Sequence, residues 1–322
     1  MAKLLDKYWG FFRRLKPAYH LFNLSKAEQL KRHKPLFERY GIRKSIYAPL
    51  SSADFKDLPQ DLPWSDTAPS ITDQPGFDAL PESIQGPISE TWQQGGFAVL
   101  RGYFSEEFID ETNSEIDRLM EEKVIDFNYS GKKIMFAFRH GEKMGQIAKD
   151  PGITAAFDFL LGKKMRPFQS INFTKSSEQR AHSDAIHMTT YPLGYLTAAW
   201  VALEDIGPDQ GPLVYYPGSH KLPYSLNHRF PHGGSRYLLG KQAYWHYEEH
   251  IQKLIKEEGL KGEVLHPKKG DVFLWHGNLI HGAQKMLKPE LTRKSMVVHY
   301  MSPEVICYHE ITQRPAFIEF DE

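Results

Sequence analysis

The chain has 322 residues, of which 41% are hydrophobic and 25% are charged, and its 40 basic residues balance its 40 acidic ones. This length suits one large domain with an extension. No apolar run reaches the roughly 18 residues that a membrane-spanning helix needs, and the N-terminus lacks the apolar core and cleavage site of a secretory signal.

Residues 1–48 concentrate positive charge, with 12 Lys/Arg against 3 Asp/Glu, a net charge of +9. Aromatic and apolar residues recur through this segment with the spacing of an amphipathic helix: Tyr8, Trp9, Phe11, Phe12, Leu15, Tyr19 and Phe22. The pattern favours a helix that packs on the rest of the protein or on a second subunit. Association with an anionic membrane surface through residues 1–48 is the alternative.

Residues 49–88 change character, with seven prolines, seven acidic residues and one base, Lys56. Such a segment is either a linker or an extended stretch that wraps a domain. Its apolar residues favour wrapping: Phe55, Leu58, Leu62, Trp64, Ile71 and Phe77. We therefore expect an N-terminal helical and wrapping region over residues 1–90, followed by one domain over residues 91–322.

The domain over residues 91–322 begins with helices and continues with strands. A strand is expected within residues 95–104, and helices within 105–123 and 152–161. The later strands are expected at 167–175, 196–206, 212–216, 271–275 and 294–301. Helices followed by many short strands are typical of an α+β fold with a barrel-like β core.

Residues 221–262 interrupt the strands with a Gly- and Pro-bearing stretch and a predicted helix over 242–259. An insertion of this length beside a functional site is typical of a lid that shapes substrate access. A surface excursion without contact to substrate is the alternative.

The triplet His182-Ser183-Asp184 is the strongest chemical signal in the chain. Because side chains alternate along a strand, residues 182 and 184 point to one side and can hold one ion. A second imidazole must then come from a distant strand, and the sequence offers His276 and His281 in WHGNLIHG. Two imidazoles and one carboxylate are typical of non-haem Fe(II) oxygenases.

Further motifs follow the triplet in a fixed order: TAAWVALEDI at 197–206, GPLVYYPGSH at 211–220, GDVFLWH at 270–276, and RKSMVVHY at 293–300. With these motifs the chain resembles the phytanoyl-CoA dioxygenase family of 2-oxoglutarate-dependent oxygenases over about residues 95–303. The resemblance implies an α+β fold with a double-stranded β-helix (jelly-roll) core and flanking helices, with the metal at its mouth.

The resemblance also implies roles for particular residues. It assigns Fe(II) to His182, Asp184 and His281, which leaves His276 to pack nearby, and it leaves His220 and His299 to the framework. Arg293 is expected to hold the far carboxylate of 2-oxoglutarate, because a guanidinium pairs with a carboxylate through two parallel hydrogen bonds.

Four further positions complete the expected cosubstrate pocket. Gln169 and Asn172 lie on the strand before the triplet, but their odd separation allows only one of them to face the cavity. Trp200 is expected in the core of the barrel or at the edge of the pocket. Where the family often has a hydroxyl two residues after the distal histidine, this chain has Ala283, and Ser295, Thr189 or Asn172 is expected to compensate.

The implied reaction uses Fe(II), 2-oxoglutarate and O2, hydroxylates a small-molecule or lipid-like substrate, and releases succinate and CO2. A carboxylate at position 184 favours hydroxylation over halogenation. The main alternative is an inactive binding protein of the same fold; a zinc hydrolase, a cupin-type protein and nucleic-acid binding are less favoured. The lone Cys307 excludes an internal disulfide and fits a packing role in a reducing cytoplasm. The sequence specifies neither the substrate nor the oligomeric state.

Overall fold

The computed structural model describes residues 14–128, 131–318 and 320. Its helices, in chain order, are α1 (Lys16–Leu24), α2 (Ala27–Leu30), α3 (His33–Arg39), α4 (Glu82–Gly95), α5 (Glu106–Glu121), α6 (Glu142–Ala148), α7 (Pro151–Leu161) and α8 (Ala243–Glu257). Ser105 begins α5, since its hydroxyl accepts a hydrogen bond from the Phe108 N–H at 3.2 Å. Among the described residues, no helix has the length and apolar character to cross a membrane.

The strands are β1 (Phe97–Leu100), β2 (Ile134–Met135), β3 (Arg166–Phe173), β4 (Thr189–Tyr191), β5 (Leu196–Ala202), β6 (Leu213–Tyr215), β7 (Glu263–Val264), β8 (Val272–His276), β9 (His281–Ala283), β10 (Ser295–Met301), β11 (Ile306–His309) and β12 (Arg314–Pro315). They form a six-stranded sheet in the order β1-β8-β5-β10-β3-β2 and two three-stranded sheets, β12-β11-β4 and β7-β6-β9. All strand pairs in these sheets are antiparallel. This is the α+β fold with the double-stranded β-helix core that the sequence predicts.

The six-stranded sheet is buried on both faces, and the alternation of side chains separates its two environments. On β10, Met296, Val298 and Tyr300 belong to the large core shared with helices α4 to α7. Val297 and His299 point to the other side, where they line a cavity between this sheet and the β7-β6-β9 sheet. The inner face of the large sheet therefore carries the site, and the helices support its outer face.

The wrapping segment at residues 49–81 packs on the barrel. Phe55 stacks on Tyr191 and Tyr308 of the β12-β11-β4 sheet, while Ile71 and Phe77 join the large core. The wrapping segment ends earlier than the sequence indicates, because α4 starts at Glu82 and runs through the expected boundary at residue 90. Tyr8, Trp9, Phe11 and Phe12 lie outside the described residues, and Phe22 remains 47% exposed.

The insertion at residues 221–262 is anchored on the barrel through α8. Tyr247 is fully buried and its hydroxyl accepts a hydrogen bond from the Ser183 N–H at 2.9 Å. Tyr244, one turn earlier, lines the cavity between the sheets. The insertion thus supplies part of the cavity wall, and its movement as a lid stays a prediction.

Candidate metal centre

The segment that carries His182 and Asp184 pairs with the segment that carries His281. His182 and His281 form an antiparallel bridge, in which each N–H donates to the other residue's carbonyl, at 2.9 and 2.8 Å. Gly282 permits this approach, because a Cβ at that position would lie 2.9 Å from the Gln179 carbonyl oxygen. The chain remains extended at Ser183 and turns at Asp184, so His182 and Asp184 share a side as the alternation predicts.

The three side chains converge. The Asp184 Oδ1 atom lies 3.9 Å from the His182 Nε2 atom and 3.8 Å from the His281 Nε2 atom. One ligand atom from each residue falls within 4.8 Å of the others, and all three residues are buried. Two imidazole nitrogens and one carboxylate oxygen on one side of an ion match the donor set of non-haem iron sites.

Hydrogen bonds fix the tautomers of both histidines. The Nδ1 atom of His182 lies 2.8 Å from the Arg180 carbonyl oxygen, and that of His281 lies 3.0 Å from the Leu279 carbonyl oxygen. A carbonyl only accepts, so each Nδ1 carries the proton and each Nε2 presents a lone pair to the cluster. Burial, followed by the proximity of His281, holds the pKa of His182 well below its ordinary value, which preserves this neutral form.

The second oxygen of Asp184 is held from the side away from the cluster. Trp275 donates its indole N–H to the Asp184 Oδ2 atom at 2.8 Å, and the His299 Nε2 atom lies 3.5 Å from the same oxygen. The Trp275 N–H favours the charged form of this carboxylate, which is the form that binds a cation. The sequence assigned His299 to the framework; the structure brings it to the site.

Arg293 is a buried cation in the same cavity. Its side chain is 2% exposed, its guanidinium lies 5.1 Å from the centre of the Trp200 ring, and one NH group donates to the Ser295 hydroxyl at 3.0 Å. No described carboxylate forms an ion pair with it, and its Nε lacks a hydrogen-bond partner. A buried charge without a counterion is costly, so this group fits an anionic ligand. Of the three residues expected to compensate for Ala283, Ser295 is the one whose hydroxyl contacts Arg293.

The cavity has a volume of about 470 Å3. Gln169 and Trp200 both line it. Asn172 is not among the residues that line it; its amide lies against the Met144 sulfur at 3.7 Å, on the helix side of β3. Of residues 169 and 172, Gln169 is therefore the one that faces the cavity. Thr189 also bonds elsewhere, to the Ala185 carbonyl oxygen at 2.6 Å.

Polar residues of the cavity wall to which the sequence assigned no role include Lys133, His187, Tyr244 and His309. Lys133 is half-buried, and burial lowers its pKa while nearby Asp184 opposes this effect. The imidazoles of His187 and His309 lie 3.4 Å apart at Nδ1 and Nε2. Only His187, five residues after His182, was detectable as a neighbour of the motif, because the other three come from distant elements.

His276, the other candidate for the third ligand position, lies outside the metal cluster and contacts Asn278 and Asp66. Its Nδ1 accepts the Asn278 N–H at 3.1 Å, so its proton resides on Nε2, which lies 3.5 Å from the Asp66 Oδ2 atom. His220 lies beside it, with ring centroids 5.6 Å apart. These residues fasten the wrapping segment to the end of β8, and the structure brings His281 rather than His276 to the metal cluster.

Comparisons with known proteins agree with this geometry. The family model described as "Phytanoyl-CoA dioxygenase (PhyH)" matches residues 92–293. The peroxisomal phytanoyl-CoA dioxygenase of Bos taurus is 23% identical over 233 residues, which cover 65% of this chain and 66% of that protein. The chain therefore spans about two thirds of this relative.

Two solved structures share the fold. A non-heme alpha ketoglutarate dependent carbocyclase from nogalamycin biosynthesis has a TM-score of 0.55 at 16% identity, covering 70% of this chain and 86% of its own. EctD from S. alaskensis, with 2-oxoglutarate and 5-hydroxyectoine, has a TM-score of 0.53 at 19% identity, covering 76% and 83%. At these identities the likeness establishes the fold.

Proposed function

Because the chain belongs to the phytanoyl-CoA dioxygenase family, we propose that it is an Fe(II)- and 2-oxoglutarate-dependent dioxygenase. It hydroxylates a small organic substrate with O2 and releases succinate and CO2. The observation that carries this proposal is the presence, in one cavity, of a complete ligand set and a buried arginine without a counterion. The intact ligand set argues against a metal-free binding protein of the same fold.

The metal would be held by the Nε2 atoms of His182 and His281 and the Oδ1 atom of Asp184. When bound, Fe(II) supplies the oxygen chemistry, and the protein supplies ligation and orientation. Trp275 and His299 keep the carboxylate of Asp184 turned so that one oxygen faces the ligand cluster. Because this carboxylate fills a ligand position, hydroxylation is the reaction that we expect.

Two cations suit the two carboxylates of 2-oxoglutarate. Arg293 would pair with the carboxylate far from the metal, over the ring of Trp200. Lys133 lines the same cavity as the cluster and would attract the other one. The amide of Gln169 faces the same cavity and makes no hydrogen bond within the described residues, so it remains available to a ligand.

The proposal is tested by succinate formation. Purified protein with Fe(II), 2-oxoglutarate and O2 should release succinate, and should release it faster when a compound screen contains the substrate. His182→Ala should abolish this release. His228→Ala, at an exposed histidine outside the cavity, is the matched control and should retain it. Succinate release that persists in His182→Ala at the wild-type rate would refute the proposal.

Location and partners are part of the same proposal. The partner is a small molecule, and nucleic acid is not expected. The single cysteine is fully buried, which agrees with a packing role, and we propose the cytoplasm as the compartment. Contact with an anionic membrane is proposed as the less favoured role of residues 1–48, because Leu21, Phe22 and Leu24 of α1 are exposed in a segment with a net charge of +9.

A further inference from the structure

A pair of histidines beside the metal centre carries a chain of hydrogen bonds that ends in the cavity. The Thr312 N–H donates to the Nδ1 atom of His309 at 3.4 Å, so the His309 proton must be on Nε2. That Nε2 lies 3.4 Å from the Nδ1 atom of His187, which therefore accepts. The remaining proton of His187 is on its own Nε2, for which the described residues provide no acceptor.

This orientation does not depend on the charge of the pair. A neutral His187 that accepts at Nδ1 carries its proton on Nε2, and a protonated imidazole carries a proton there as well. His187 lines the cavity and is half-buried. It therefore presents a fixed N–H donor whether or not the histidines titrate.

Tyr244 adds a second donor from the insertion. Its hydroxyl oxygen accepts the amide N–H of Gln179 at 3.0 Å, which leaves its own O–H proton to be donated. The ring of Tyr244 lies against the ring of His187, with centroids 5.2 Å apart. The two donors thus come from different parts of the chain to one region of the wall.

The net charge of the cavity favours an anionic ligand. Of the described residues that line it, three are charged at neutral pH: Lys133, Arg293 and Asp184. Iron(II) with the two cations carries four positive charges, against three negative charges from Asp184 and dianionic 2-oxoglutarate. One positive charge remains uncompensated in a buried site, where an anion gains most.

We propose that His187 and Tyr244 form a subsite that recognises an anionic oxygen group, such as a carboxylate, on the substrate. His309 is a positioning residue that fixes the tautomer of His187. Apolar side chains form other parts of the wall and suit an aliphatic or aromatic body: Ile171, Phe173, Met188, Leu213 and Val297. The inference rests on the proposed function, because the leftover charge assumes that iron and 2-oxoglutarate are bound.

Calorimetric titration of the anaerobic Fe(II) and 2-oxoglutarate complex tests this subsite without turnover. The probes are octanoate and octanamide, which share a body and differ in charge. We expect octanoate to bind at least about tenfold more tightly than octanamide, the range of a charge-assisted hydrogen bond. This preference should survive an increase in 2-oxoglutarate concentration.

Variants assign the preference to the two donors. His187→Leu and Tyr244→Phe should each reduce it severalfold, and His187→Gln, which keeps an N–H donor, should restore part of it. Tyr224→Phe removes a buried hydroxyl in a different cavity and is the matched control, with no expected change. Binding of 2-oxoglutarate to each variant verifies that it is folded.

The outcomes separate this inference from the proposed function. Equal affinity for the two probes, or no binding of either, overturns the subsite while leaving the proposed function intact. Octanoate binding that weakens as 2-oxoglutarate rises places the probe in the cosubstrate site and also overturns it. Failure of the Fe(II) protein to bind 2-oxoglutarate at all refutes the proposed function, and the subsite with it.

Discussion

Replacement of Arg293 by methionine should stabilise the ligand-free protein and remove its response to 2-oxoglutarate. Arg293 is buried with no ion-pair partner among the described residues and is stacked on Trp200. Burial of this cation lowers the stability of the ligand-free protein, and a bound anion offsets that loss by pairing with it. The two effects of one substitution therefore have opposite signs, which a purely structural arginine would not produce.

The magnitude follows from the desolvation of the guanidinium. Burial lowers the pKa of Arg293 from 12.5 to about 10, and at about 1.4 kcal/mol per pKa unit this corresponds to roughly 3 kcal/mol. Replacement of buried charges by apolar side chains of similar volume often stabilises proteins by about 1–4 kcal/mol. We expect Arg293→Met to raise the free energy of unfolding by about 1–3 kcal/mol.

Denaturant unfolding with and without Fe(II) and 2-oxoglutarate measures both effects. A ligand at a hundred times its Kd stabilises the wild type by about 2.7 kcal/mol, and Arg293→Met should lose this increment. Arg32→Met is the matched control, since burial also lowers the pKa of Arg32 but its guanidinium lies over Phe320, outside the cavity. An Arg293→Met protein that is less stable than wild type and still stabilised by 2-oxoglutarate would refute the reasoning.

Four further outcomes are expected. His182→Ala should purify without iron while its unfolding transition persists, as metal analysis and circular dichroism would report. Gln169→Ala should raise the KM for 2-oxoglutarate or substrate, whereas Asn172→Ala should leave steady-state kinetics unchanged and lower the melting temperature. Burial lowers the pKa of His33 from 6.5 to about 3, so the unfolded state binds the extra proton between these values and stability falls as pH drops from about 6.5 towards 3; His33→Phe should flatten this dependence in unfolding titrations. If residues 1–48 meet a membrane, vesicles with anionic lipid should sediment the protein at low salt and Leu21→Ser should weaken this, whereas binding that ignores lipid charge and salt would leave the segment with a packing role.

The sequence was sufficient for much of the fold because its strands alternate between two buried environments. Residues 295–301 are an example, since the motif around them predicts a strand and the structure has β10 at Ser295–Met301. The helix α4 was not anticipated, because Pro81 and Pro87 lie at its start and in its interior. Proline frequency predicted an extended segment, but burial of Ile84, Ile88 and Trp92 in the core stabilises a helix there.

Some residues of the candidate site could be predicted from the sequence and others could not. Residues that carry a local motif, such as His182 and Asp184, are visible in the sequence because the spacing itself reflects the chemistry. Lys133 and Tyr244 come from a short strand region and an inserted helix with no motif around them, and only the folded chain brings them to the cavity. His299 is a framework residue that contacts Asp184, and the alternation of β10 predicts its face but not what that face opposes.

The visible absorption spectrum of the anaerobic Fe(II) protein on addition of 2-oxoglutarate tests the central claim most directly. Chelation of the cosubstrate by iron at the three proposed ligands should produce a metal-to-ligand charge-transfer band that saturates at one equivalent of iron and disappears in Asp184→Ala. The band should then decay on exposure to O2 with formation of one succinate per 2-oxoglutarate consumed. An iron-loaded protein that shows no band and forms no succinate would contradict the account.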